Sequence, residues 1–108
     1  PPMNPILVVL CTCPDDTVAK KLAAGLVDHR LAACVNVLPG IRSIYRWQGQ
    51  AQEDDEVLMM IKASEKTYPA LERWLQEQHP YDVPEIIALP VERGLPGYLE
   101  WVAQETQQ

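Results

Sequence analysis

Apolar residues run without interruption from Ile6 to Cys11, and Ile6, Val8 and Val9 among them are β-branched. That pattern predicts a strand buried on both faces. Pro14-Asp15-Asp16 then suits a first helical turn, where proline is tolerated and carboxylates meet the positive end of the helix dipole. Val18, Leu22, Leu26 and His29 recur at helical spacing and predict a helix over roughly 14–29, with Lys20, Lys21 and Asp28 outward. Leu31 to Leu38 alternates as a strand; Pro39-Gly40 interrupts it as a bulge or bend, and Ile41 to Trp47 resumes it. Gln48-Gly49-Gln50 reads as a hairpin turn. The return strand, roughly 52–64, begins acidic and ends in Val57-Leu58-Met59-Met60-Ile61.

A second helix is expected over about 67–78, with Pro69 in its first turn and Tyr68, Leu71, Trp74 and Leu75 facing inward. Glu85 to Leu89 reads as another buried strand. Gly94-Leu95-Pro96-Gly97 breaks the chain before a last helix of about 97–105, whose inner face is Tyr98, Trp101 and Val102. The order β-α-β-β-α-β plus a terminal helix specifies an α+β fold of the split βαβ, or ferredoxin-like, kind: one antiparallel sheet with two helices on one face.

Two helices cover one face of such a sheet, so its strands should alternate apolar and polar. Residues 6–11, 57–61 and 86–89 are apolar on both sides instead. Something must cover the second face, and the short terminal helix is too small to cover it all. The hairpin strands, at roughly 14 residues, also far exceed the usual 5–6, so the ribbon should overhang its own domain and expose unpaired edges. An oligomer whose ribbons cover and extend neighbouring sheets satisfies both conditions.

Between the second helix and the last strand lies His79-Pro80-Tyr81-Asp82-Val83-Pro84-Glu85-Ile86. Its two prolines remove backbone donors, fix φ and push the preceding His79 and Val83 toward extended backbone. An imidazole, a phenol and two carboxylates are thereby mounted on a stiff connector.

Composition narrows the functional classes. The 108 residues make one domain, with 47% hydrophobic and 22% charged residues, as in ordinary soluble proteins. No apolar run approaches the roughly 20 residues of a membrane span, and Pro1-Pro2-Met3-Asn4 shows neither the basic nor the apolar region of a signal peptide. Three cysteines cannot all pair within one chain, so a reducing cytoplasm is expected rather than a disulfide scaffold. A net charge of -6 without a Lys/Arg stripe argues against nucleic acid.

Among groups that carry chemistry, Cys11 and Cys13 share one strand face just before a helix N-terminus. Two readings stand: small buried apolar side chains, or a soft donor pair for a metal. Cys34, amid Ala32, Ala33 and Val35, reads as core filler. His79 caps the second helix or, because loops at one end of the sheet converge, joins Cys11 in a site suited to copper or zinc. His29 reads as a surface or capping residue, and Glu53-Asp54-Asp55-Glu56 as a solvated strand end. Lys62 follows an apolar strand and needs an anionic partner, for which Glu85 or a ligand anion are candidates. Trp47, Trp74 and Trp101 are core or interface anchors. With no nucleophile–base triad and no phosphate-cradling glycine loop, a non-enzymatic protein is expected. Neither the exposed Cys-x-x-Cys of a ferredoxin-like copper chaperone nor an acylphosphatase's anion loop is present.

Taken in register, several segments resemble the CutA family, associated with divalent-cation tolerance. They are Val8-Val9-Leu10-Cys11-Thr12 with Pro14-Asp15, Leu31-Ala32-Ala33-Cys34-Val35-Asn36, Pro39-Gly40 and Ser43-Ile44-Tyr45-Arg46-Trp47-Gln48-Gly49. Glu56 to Lys62, His79 to Glu85 and Tyr98-Leu99-Glu100-Trp101 complete the series, over nearly the whole chain. The resemblance implies a homotrimer of ferredoxin-like subunits, assembled like the PII signalling proteins through long β-ribbons, and cytoplasmic in a bacterium or organellar in a eukaryote. It further implies copper or another divalent cation as the bound species, with Cys11 and His79 at the family's metal positions. Some relatives carry a second adjacent His where this chain has Gln78, an amide that is a poor ligand for copper or zinc. The alternative it leaves is a PII-like binding module, with a small ligand in an intersubunit cleft lined by Lys62, Tyr81 and Glu85 and by a neighbour's Trp47.

Overall fold

In a computed structural model, which describes residues 5–106, the elements run β1 (Ile6–Cys13), α1 (Asp16–Asp28), β2 (Cys34–Trp47), β3 (Gln50–Ser64), α2 (Tyr68–Gln78), β4 (Ile86–Pro90) and α3 (Pro96–Glu105). The segment read above for leader character, residues 1–4, lies outside the described residues. The sheet order is β2-β3-β1-β4, and every pairing is antiparallel. This is the ferredoxin-like arrangement expected from the order of elements. Among the described residues no helix is long and apolar enough to cross a membrane.

Local chemistry sets the boundaries. Helix α1 begins two residues later than expected because Asp15, in extended conformation, is the cap: its carboxylate accepts the Val18 N–H at 2.8 Å. Residues 31–33, expected as strand, instead close that helix. Arg30 turns left-handed (φ 58°), and the N–H groups of Leu31 and Ala32 both bond to the Leu26 carbonyl. The bulge expected at Pro39-Gly40 is present, as a register shift between Leu38 and Ile41 with Gly40 at φ 79°. At the ribbon's tip Gln48 and Gly49 both have positive φ, the two-residue turn whose twist matches the flanking strands.

Strand alternation decides what is inside. Val9, Cys11, Met59, Ile61 and Ala63 face Ala19, Leu22 and Leu26 of α1 and Leu71 and Leu75 of α2, forming the core. The other face carries Ile6, Leu10, Met60, Lys62 and Ser64. Helix α3 covers one end of it: Val102 is fully buried, and Thr106 reaches Ser64 with its hydroxyl at 3.0 Å. Ile87 (50%) and Leu89 (51%) of β4 and Leu38 of β2 remain exposed, so α3 covers only part of that face. The ribbon overhangs as expected, stretching the chain to 44 Å along its long axis and leaving Ile44 and Trp47 in solvent. Trp74 packs on the core, whereas Trp47 and Trp101 face outward.

Tyr68, on the first turn of α2, donates its hydroxyl to Glu72 Oε2 at 2.7 Å. Burial first, and that carboxylate second, push its phenol up to about 12. The unfolded chain releases this proton near pH 10, while the folded chain keeps it. Between pH 10 and 12 the native state therefore binds more protons than the unfolded state, and stability falls as pH rises. Tyr68→Phe is expected to shallow that alkaline decline, read as the change in urea midpoint from pH 9 to 11. Identical slopes in variant and parent would reject the assignment.

Candidate metal site at the end of the first strand

Residues two apart on a strand point the same way, and both Cys11 and Cys13 turn toward the helices, each fully buried. Their backbone pairs with Met59 and Val57 of β3. From the far side comes His79, the C-cap of α2. Its own N–H bonds to the Leu75 carbonyl at 2.8 Å, its backbone turns extended (φ -74°, ψ 140°), and its ring is driven against the end of β1. One ligand atom from each of Cys11, Cys13 and His79 lies within 4.8 Å of the others, and all three residues are buried. The structure thus brings together the two residues singled out from sequence, Cys11 and His79, and adds Cys13.

Both nitrogens of the His79 ring are engaged. Nε2 lies 2.8 Å from the Thr12 carbonyl oxygen, which can only accept, so Nε2 carries the proton. Nδ1 in turn accepts the Tyr81 N–H at 3.1 Å. The imidazole is held as one neutral tautomer and packs on the Tyr81 ring, 4.7 Å between centroids. The Tyr81 hydroxyl donates to Glu56 Oε2 at 2.7 Å, and burial together with that carboxylate holds the phenol well above its usual range. Glu56 is therefore no solvated strand end: it is 9% exposed, one residue beyond the Cys13–Val57 pair that ends the β1–β3 ladder.

The cysteines act on each other. The interaction between the two sulfurs pushes the Cys11 thiol up, reinforced by burial and by the negative charges of Cys13, Glu85 and Glu56. The same interaction lowers Cys13, against burial and the negative charges of Glu56 and Asp15. Donor atoms 2.0–2.3 Å from one tetrahedral ion lie about 3.3–3.8 Å apart, so a spread of up to 4.8 Å closes by about 1 Å at its widest when all three hold one ion. Two sulfurs and one imidazole nitrogen suit Cu or Zn rather than Mg or Ca.

Beside this cluster a cleft of about 660 Å³ is lined by Pro14, Gly40, Arg42, Asp55, Glu56 and Val57. On that lining the Arg42 guanidinium pairs with its cross-strand neighbour Asp55 at 3.4 Å, and outside it with Glu53 at 3.3 Å.

The residues expected to line a ligand cleft are dispersed within the subunit. Trp47 stands at the ribbon's tip, while Tyr81 and Glu85 stay on the connector. Lys62 does not meet Glu85. It pairs with Val8, whereas Glu85 adjoins the Ile86–Cys11 pair, one strand further across and about 10 Å further along β1. The Lys62 ammonium instead hydrogen-bonds the Asn36 side chain and lies 4.0 Å from Cys34 Sγ. Cys34 is thus half-buried beside a cation and not filler. His29 is the expected capping residue, its Nδ1 2.8 Å from the Gly25 carbonyl oxygen.

Sequence reasoning named the Cys11/Cys13 pair but did not carry Cys13 into the metal set, although strand periodicity placed both sulfurs on one face. It missed Glu56 because an acidic run looks uniformly solvated. The available signal was its place immediately before the apolar run 57–61.

Fold and donor set together describe a small α+β protein with a buried cluster of two sulfurs and an imidazole. The family model "CutA1 divalent ion tolerance protein" matches residues 7–105. The chain belongs to the CutA1 family. It is 48% identical over 99 residues to the divalent-cation tolerance protein CutA of Thermus thermophilus, covering 92% of this chain and 96% of that one. A solved structure of the divalent cation tolerance protein from Thermus thermophilus superposes with a TM-score of 0.93 at 47% identity, over 94% of this chain and 99% of the other. Protein CutA of Mus musculus is 55% identical over 96 residues, 89% of this chain. The chain spans 54% of the mouse protein's length.

Proposed function

We propose that this protein serves divalent-cation tolerance by binding copper, or a divalent cation of similar softness, through Cys11, Cys13 and His79. One observation carries the reading: three buried soft or borderline donors converge within 4.8 Å. The names of the Thermus thermophilus and Pectobacterium atrosepticum relatives, both divalent-cation tolerance proteins, support the role. Residue chemistry assigns the parts. Cys13, lowered by its neighbour, supplies the first thiolate, and Cys11 follows as a cation displaces its proton. His79 ligates through one ring nitrogen once that nitrogen gives up its present partner, the Thr12 carbonyl or the Tyr81 N–H; the bond that stays is then the outer contact that orients the imidazole. Gln78, exposed on α2, adds no donor of comparable strength.

The same reading makes the protein a non-enzymatic homotrimer working in the cytoplasm. The partly uncovered apolar face with Ile87 and Leu89, and the overhanging ribbon, support assembly. Three free cysteines, none of them paired, suit a reducing compartment.

Titration with Cu(I) against a competing chelator tests the site. The parent is expected to take up one ion per chain, and Cys11→Ser and His79→Ala to bind at least about tenfold more weakly, as loss of a ligand or its support does. Equal affinity in all three proteins rejects the site.

A further inference from the structure

A cation cannot reach donors that are fully buried without a way in, and the cleft beside them is built from their own neighbours. Pro14 follows Cys13 in the chain, Val57 pairs with Cys13 across the ladder, and Glu56 is bonded to Tyr81, which bonds His79. Its charged lining is Asp55, Glu56 and Arg42. We infer that this cleft is the route by which a cation enters the Cys11/Cys13/His79 cluster, with Glu56 receiving the ion before the sulfurs and Arg42 opposing its entry. This rests on the metal reading above and adds the path.

The geometry separates the three charges by role. Glu56 commits Oε2 to the Tyr81 hydroxyl, while its other carboxylate oxygen has no hydrogen-bond partner among the described residues and can accept a cation. At 9% exposure its field is little screened by water, whereas Asp55 is largely exposed and acts as an outer attractor. Arg42 holds Asp55 and Glu53 and offsets their charge at the mouth. A cleft lined by one excess sign raises local counter-ion concentration and the rate of association, more than the final affinity. Glu56 is thus a positioning residue on the route, outside the group of three whose ligand atoms cluster.

The test is stopped-flow mixing of the intact protein with Co²⁺ alone, followed by thiolate-to-metal absorbance. Glu56→Gln is expected to slow uptake by about tenfold with the final absorbance unchanged, and Arg42→Ala to speed it by about threefold. The parent rate is expected to fall with added salt. Rates for both variants within about twofold of the parent overturn the route. So does loss of the final absorbance in Glu56→Gln, which would make Glu56 a ligand. Should Glu56→Gln fail to fold, Arg42→Ala decides, since within one chain its side chain is 63% exposed and takes no part in the core. Cys11→Ser separates the two ideas: if it abolishes absorbance while Glu56→Gln leaves the rate intact, the site stands and the route falls. No absorbance in the parent removes both.

Discussion

Met59→Ala is expected to destabilise the protein by about 3–4 kcal/mol, the range for emptying a buried methionine site that cannot collapse. Met59 is 0% exposed, in the middle of β3, paired with Cys11 of β1 on one side and Val37 of β2 on the other. Neighbours in two strands and the helices above hold the cavity open. The urea midpoint should fall with the slope unchanged, which marks lost stability rather than altered compactness. A loss below about 1 kcal/mol would show that the sheet relaxes into the gap. Because Met59 lies beside Cys11, the same variant should also loosen the thiol pair. Its neighbour Met60 provides the comparison. It points to the other face, opposite Leu10 and Asn36, and is only partly buried. In a lone subunit Met60→Ala would cost under about 1 kcal/mol; in an assembly that covers this face the cost approaches that of Met59→Ala and depends on protein concentration.

The contrast between Met59 and Met60 also shows what could be read from the chain before its structure. Apolar residues on both sides of residues 57–61 predicted a doubly covered sheet, and α3 covers one end of the second face. Element order and the bulge at Pro39-Gly40 were equally legible, because proline and glycine act locally on φ and on backbone donors. The boundary at residues 31–33 was not, since Leu31-Ala32-Ala33 alternates like a strand. Two N–H groups captured by the Leu26 carbonyl decide otherwise, and that is a matter of helix termination rather than periodicity. For the site, strand spacing put the two sulfurs on one face, and the Pro80 and Pro84 connector marked His79 as fixed. What no spacing reveals is side-chain reach across the sheet. The Tyr81–Glu56 bond and the Lys62–Asn36 contact each join residues more than twenty positions apart, and both redirected a charged group assigned elsewhere.

His79→Ala is expected to lower stability by about 2–4 kcal/mol even with all metal chelated away. The substitution orphans the buried Thr12 carbonyl and the Tyr81 N–H, each at about 1 kcal/mol or more, and leaves a void where the ring met Tyr81. The imidazole is therefore a clip between the end of β1 and the connector, whatever else it does. Metal separates the clip from the ligand. An ion that binds only the folded protein stabilises it by RT ln(1 + [L]/Kd), about 2.7 kcal/mol at a hundredfold excess over Kd. If His79 is a ligand, the gap between parent and His79→Ala widens when Cu(I) is added, because the variant gains less from it. A gap that stays constant with and without Cu(I) leaves His79 as a clip alone and confines the donor set to Cys11 and Cys13. The same pair of unfolding curves on Tyr81→Phe, which keeps the N–H to His79 Nδ1 and loses only the bond to Glu56, should show a smaller fixed cost and a normal gain from metal. That result would place the energetic weight of the connector on the imidazole, where the sequence had put two prolines to hold it.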